Sequence, residues 1–148
     1  MTRSAFLVAV LVVTAVAAGY CQQISFQTGS VELDTNLANL NVEAKADLPG
    51  FTAQLSVSFD VPEGKIVSLM TDVLLEPAEV YLALEIGKLV EKPVDDVVAV
   101  YRENRDRGWG VVAREMGIKP GSAEFHELKM KASPGKAKVK KGRIKSEW

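Results

Sequence analysis

The chain has 148 residues, 47% of them hydrophobic, and a formal net charge of −1 at pH 7. That length gives room for one domain with its own core. A single cysteine excludes an intrachain disulfide, and one cysteine with one histidine supplies too few ligands for a zinc site.

The near-zero charge hides a division. From Gly19 to Leu128 there are 18 acidic and 9 basic residues, a net of −9; from Lys129 to Trp148 there are 8 basic and 1 acidic, a net of +7. The chain is therefore an acidic body with a basic tail.

Arg3 precedes a largely apolar run from Ala5 to Val16, and Ala17, Ala18 and Gly19 follow. A positive start, a short apolar core and small residues predict a secretory signal peptide over 1–19. The run is shorter than the roughly 20 residues of a comfortable membrane span, so no stable span is expected after cleavage. Tyr20, which is not small, argues against lipidation of Cys21. Secretion or a periplasmic location is the resulting expectation.

Residues 20–61 read as a β-hairpin region. Phe51, Ala53, Leu55, Val57, Phe59 and Val61 alternate with Thr52, Gln54, Ser56, Ser58 and Asp60. Period two predicts a strand with one buried face. Leu40, Val42, Ala44 and Ala46 alternate in the same way, and Pro49-Gly50 is a turn pair. The expected hairpin pairs 39–47 with 51–61. Leu33 and Leu37 are out of phase with it, and residues 31–38 remain open between strand and helix.

Residues 62–131 read as a helical domain. Ile66, Leu69, Met70, Val73 and Leu74 recur at helical spacing. Glu76-Pro77 opens a second helix, whose Val80, Ala83, Leu84 and Gly87 share a face. Lys92-Pro93 opens a third, with Asp95 and Asp96 favourable to its dipole and a stripe of Val94, Val97, Val98 and Tyr101. Gly108 is expected to close that helix and Gly117 the next, between which Trp109, Val112, Ala113 and Met116 form one apolar face. Pro120-Gly121 turns the chain, and Ser122 caps a last helix carrying Phe125 and Leu128. Residues 132–148 carry much like charge and little apolar surface, so a disordered tail is expected. The fold class predicted is α+β: an N-terminal β-hairpin or small antiparallel sheet, then a compact bundle of four to five short helices.

The block from Trp109 to Ser122, WGVVAREMGIKPGS, followed by Glu124-Phe125-His126, resembles one in small exported bacterial proteins of unknown function. The resemblance extends over about residues 66 to 129. It implies location in the bacterial envelope and brings no activity with it. The pattern W-x-x-V-A-x-x-x-G-I followed by a turn is also similar to a helix-turn-helix. Glu124 and Glu127 on its second helix would repel phosphate, which disfavours DNA recognition.

No residue is assigned a catalytic, cofactor or metal role. His126 has Glu124 and Glu127 at i−2 and i+1, which do not share its helix face. Arg102, Arg105, Arg107 and Arg114, interleaved with Glu103 and Asp106, read as a solvated, salt-bridged face and as a place where a partner's anions could dock. Those four, His126, and the tail cations Lys136, Lys138, Lys140, Lys141, Arg143 and Lys145 are the candidate interaction residues. The expected function is a non-enzymatic envelope module that binds another macromolecule. The alternative is weak polyanion binding through the tail, to lipid head groups, polysaccharide or nucleic acid. An enzyme has no supporting constellation.

Overall fold

The structure is a computed structural model that describes residues 25–133. The expected signal segment, Cys21 and the basic tail from residue 134 onward lie outside the described residues. Among the described residues seven α-helices form: α1 (Val31–Ala46), α2 (Leu48–Phe59), α3 (Glu63–Thr71), α4 (Pro77–Leu89), α5 (Val94–Glu103), α6 (Trp109–Glu115) and α7 (Ala123–Ala132). A 3-10 turn, Arg105–Arg107, joins α5 to α6.

The expected hairpin is absent, and among the described residues there is no strand. Both of its predicted strands are helices. A run that alternates at i, i+2, i+4 also contains the set i, i+4, i+8, which is one face of a helix. Phe51, Leu55 and Phe59 are that set, and they turn toward the core. Val57, which a hairpin would have buried with them, is 80% exposed, and Val42 is 72% exposed. On α1 the buried stripe is Leu33, Leu37, Asn41 and Ala44, so the two leucines out of phase with a strand are in phase with a helix. Pro49-Gly50 starts α2 instead of turning a hairpin, because the Asp47 carboxylate accepts the Gly50 N–H at 3.1 Å and Pro49 sits in the first turn. The hydroxyls of Thr52 and Ser58 donate back to the carbonyls of Leu48 (2.8 Å) and Gln54 (2.6 Å), which satisfies them inside a helix.

The core is built around α4. Pro77, Ala78 and every residue from Val80 to Gly87 are buried, so this helix is covered around its circumference rather than along one stripe. It packs against α1, α5, α3, α2 and α7. Its N-terminus is fixed from two sides. Asn41 on α1 accepts the Ala78 N–H at 3.2 Å and donates to Glu76 Oε2 at 3.2 Å. Glu79, three residues into the helix, accepts the Glu76 N–H at 2.8 Å.

Glu79 also ties α4 to α5 and α6. Its Oε1 accepts the Trp109 indole N–H at 3.0 Å, and Tyr101 O–H lies at 3.4 Å. The two aromatic rings stack with centroids 4.7 Å apart. Trp109, Val112, Ala113 and Met116 are all buried, as their spacing requires. Gly117, at φ 99°, lets the chain end α6 in a Schellman turn, with Gly117 N–H on Arg114 O and Ile118 N–H on Ala113 O, and Ile118 folds into the core. Gly108 does not close the preceding helix. α5 ends at Glu103, and Gly108 is the N-cap of α6.

The segment before α1 adds no strand. It supplies the cap of α6: Phe26 O accepts from Trp109 N–H (3.0 Å) and Gln27 O from Gly110 N–H (2.9 Å). A Cβ on Gly110 would stand 2.8 Å from Thr28 O, so glycine is what permits this approach. Thr28 is tied in turn to Asp34 of α1, hydroxyl to carboxylate at 2.7 Å. At the other end, Ala132, which the sequence places in the tail, belongs to α7 and is buried. No helix among the described residues is long and apolar enough to cross a membrane.

Candidate functional site

A cavity of about 300 Å³ opens between α1, α2, α4 and α7. Helical spacing builds its walls. On α2, Phe51, Gln54, Leu55, Ser58 and Phe59 fall at i, i+3, i+4, i+7, i+8 and share one face. On α4, Tyr81, Glu85 and Lys88 at i, i+4, i+7 form the facing wall. Leu40 of α1 and Lys131 of α7 complete the lining. Phe59 meets Tyr81 edge-on, with ring centroids 6.1 Å apart and planes at 77°. The Lys88 ammonium stands 5.4 Å above the Phe59 ring. A second hollow of about 480 Å³ shares Ser58, Phe59 and Lys88 with the first and runs on toward Pro93 and Val94.

The wall is largely apolar, with Gln54, Ser58, Lys88 and Lys131 on it and one carboxylate sunk into it. Glu85 is 6% exposed, and its Oε2 is buried without a hydrogen-bond partner. Lys131 Nζ stands 3.3 Å from it, and 2.8 Å from Glu127 on its own helix. Lys131 is thus a charge partner of Glu85, without the alignment of a hydrogen bond to it. A buried carboxylate oxygen in this state is costly, because it has left water and gained only part of a replacement.

The neighbouring groups are held in single protonation states. Burial, then the negative charge of Glu85 and a hydrogen bond to it, push the Tyr81 phenol far above its ordinary value of 10.0. Burial pulls Lys131 down, but Glu127 and Glu85 outweigh it and hold the ammonium above its usual range. At neutral pH the cleft therefore presents a neutral phenol and a firm cation. Both bind and orient well, and both are poor carriers of protons.

The residues singled out from sequence lie elsewhere. Arg102, Arg105, Arg107, Arg114 and His126 are all exposed, and none lines this cleft. Arg102 borders a polar hollow with Asp72 and the Lys65–Asp95 ion pair. Arg105 lies 6.0 Å above the Tyr101 ring. Arg107 donates to Asn104 Oδ1 at 3.1 Å and faces Glu115 at 3.9 Å, so its partners are not the interleaved acids Glu103 and Asp106. Arg114 sits on α6 and His126 on α7, where the His126 backbone N–H continues the helix from Ser122 O. The six tail cations lie outside the described residues. Among the described residues, no three His, Cys, Asp or Glu side chains gather as a metal-binding group.

Phe51, Phe59, Tyr81, Glu85, Lys88 and Lys131 were not indicated by the sequence reading. One signal was present: Glu85 stands between Leu84 and Ile86 in a helix with no polar face to receive it. The helix-turn-helix likeness of α6 and α7 does not carry into the packing, where α6 rests on α5 while α7 rests on α1 and α4. No protein-family model, curated protein or solved structure matches the chain.

Proposed function

We propose that this chain is an exported, non-enzymatic binding protein, and that its helical body recognises a small amphipathic ligand in the cleft between α2, α4 and α7. The observation that carries this is the buried Glu85 Oε2, which faces Lys131 at 3.3 Å but accepts no hydrogen bond, in a largely apolar, aromatic-lined cavity. A largely apolar hollow with a few convergent polar groups is the usual form of a ligand site. Tyr81 and Lys131, each fixed in one protonation state, suit holding a ligand better than transforming it. Export rests on the N-terminal sequence and on the resemblance of the Trp109–Ser122 block to small exported bacterial proteins.

The test is an NMR titration of the full chain with a set of small amphiphiles, at low and high salt, beside a Ser58→Trp variant that fills the cavity. Binding that shifts Phe51, Phe59 and Tyr81, survives salt and disappears in the variant supports the cleft. Ligands that bind equally well with the cavity filled would remove it as the recognition site.

A second reading gives recognition to the basic tail. Two of the eight cations from Lys129 to Trp148 belong to α7 and are engaged in the body, Lys129 with Glu32 at 3.0 Å and Lys131 with Glu85 and Glu127. Polyanion binding that falls steeply with salt and is lost in a chain ending at Ser133 would favour it.

A further inference from the structure

We propose that the ligand of the cleft is an organic ammonium: a primary amine on a small apolar body, donating to Glu85 Oε2 while its hydrocarbon lies against Leu40, Phe51 and Phe59. The proposal rests on the cleft reading above and gives it a ligand class.

Three observations converge. First, Glu85 Oε2 accepts no hydrogen bond, although the Lys131 ammonium stands 3.3 Å away, and a carboxylate is best satisfied by a well-aligned charged N–H. Second, Phe51, Phe59 and Tyr81 bring three aromatic rings to the same cavity, and ring faces attract cations. Lys88 above Phe59 already shows a cation using one of them. Third, Lys131 places an ammonium beside Glu85 from α7, at a distance without the alignment, and shares it with Glu127. It acts as an internal stand-in that a better-placed amine displaces, and Glu127 at 2.8 Å remains to receive it.

An anionic ligand fits less well. It would enter beside a buried carboxylate, and both nearby cations are occupied, Lys131 by two glutamates and Lys88 by Phe59. The size of the cavity, about 300 Å³, lies at the small end of ligand sites and suits one ring or a short alkyl chain.

The experiment compares three probes of one shape on the full chain by NMR at neutral pH: 2-phenylethylammonium, neutral 2-phenylethanol and anionic 3-phenylpropionate. The ammonium is expected to bind at least about tenfold more tightly than either of the others, as a charge-assisted bond would give. Glu85→Gln, which keeps the size of the side chain, should abolish that preference. Lys131→Met should tighten ammonium binding several-fold, because no internal cation has to leave. If Glu85→Gln fails to fold, the three-probe ranking on the unaltered chain and the Lys131→Met result still decide. Should the alcohol or the carboxylate bind in the cleft as tightly as the ammonium, the ligand class is wrong and the cleft reading stands. If none of the three shifts Phe51, Phe59 or Tyr81, both are wrong.

Discussion

Trp109 donates its indole N–H to Glu79 Oε1 at 3.0 Å, and so ties the start of α6 to the first turn of the central helix. The same carboxylate caps α4 through the Glu76 N–H. Trp109→Phe keeps most of the ring and removes the donor. It is expected to cost about 2 kcal/mol, the range for a hydrogen bond to a charged group. Urea unfolding of Trp109→Phe, Glu79→Met and the double variant should give a coupling of about 1 kcal/mol or more. Additive losses would mean that the contact contributes nothing of its own.

Residues 51–61 separate a helix from a strand by experiment. Leu55 is buried and Val57 is 80% exposed. Leu55→Ala should cost roughly 2–5 kcal/mol, whereas Val57→Lys should stay within about 0.5 kcal/mol of the parent. A strand with period two would penalise both changes alike. Thermal or urea midpoints of the two variants decide between them.

Gly110 stands where a side chain has no room, with backbone oxygens of Thr28 and Gln27 at 2.8 and 3.0 Å from an added Cβ. Gly110→Ala must push the leading segment away from α6. A loss of about 1–3 kcal/mol is expected, as for other forced overpacking. The amides of Trp109 and Gly110 should exchange with solvent faster in this variant, because their acceptors are Phe26 O and Gln27 O. Unchanged exchange would show that the segment does not cap the helix in solution.

Stability should fall on both sides of neutral pH, for different reasons. The hydrogen bond from Lys45, 2.6 Å away, holds the Glu76 carboxyl below its ordinary range, against the pull of partial burial. A group depressed in the folded state stabilises above its unfolded pKa, and that contribution is lost as pH falls through the folded value. Lys45→Met should flatten the acid limb. Tyr81 and Tyr101 are raised, both mainly by burial. The unfolded chain then deprotonates first, so stability is lost as pH rises past about 10, the ordinary tyrosine value. Tyr81→Phe should shallow the alkaline limb. Urea midpoints across the pH range read both effects.

The second half of the fold was legible in the sequence because its signals are local. Pro77, Pro93 and Ser122 mark helix starts, and Gly117 marks an end, at the places where the structure has them. The first half was not, because alternation at i, i+2, i+4 is compatible with both periods. The tie was broken by two things that periodicity does not record. One is the Asp47 cap that turns Pro49-Gly50 into a helix start. The other is Asn41, a polar residue that a pattern count assigns to the wet face and that tertiary hydrogen bonds to Glu76 and Ala78 bring inside. The cleft was hidden for a related reason. Treating α4 as one-sided left Glu85 on the side presumed to face water, where a glutamate attracts no notice.

The carbonyl of Phe26 and the amide of Trp109 are 83 positions apart along the chain. Most other contacts link helices that are neighbours in sequence, such as α2 with α3, α4 with α5 and α5 with α6. In kinetic terms, the leading segment closes one of the long loops in the fold for only a few contacts, and loop closure is an entropic cost met before any contact forms. Its docking should therefore come after the transition state. Gly110→Ala would then speed unfolding and leave the folding rate nearly unchanged. A chevron plot whose folding arm moves instead would place this clasp in the nucleus. If docking is late, the body of helices assembles first and the front of the chain fastens it afterwards.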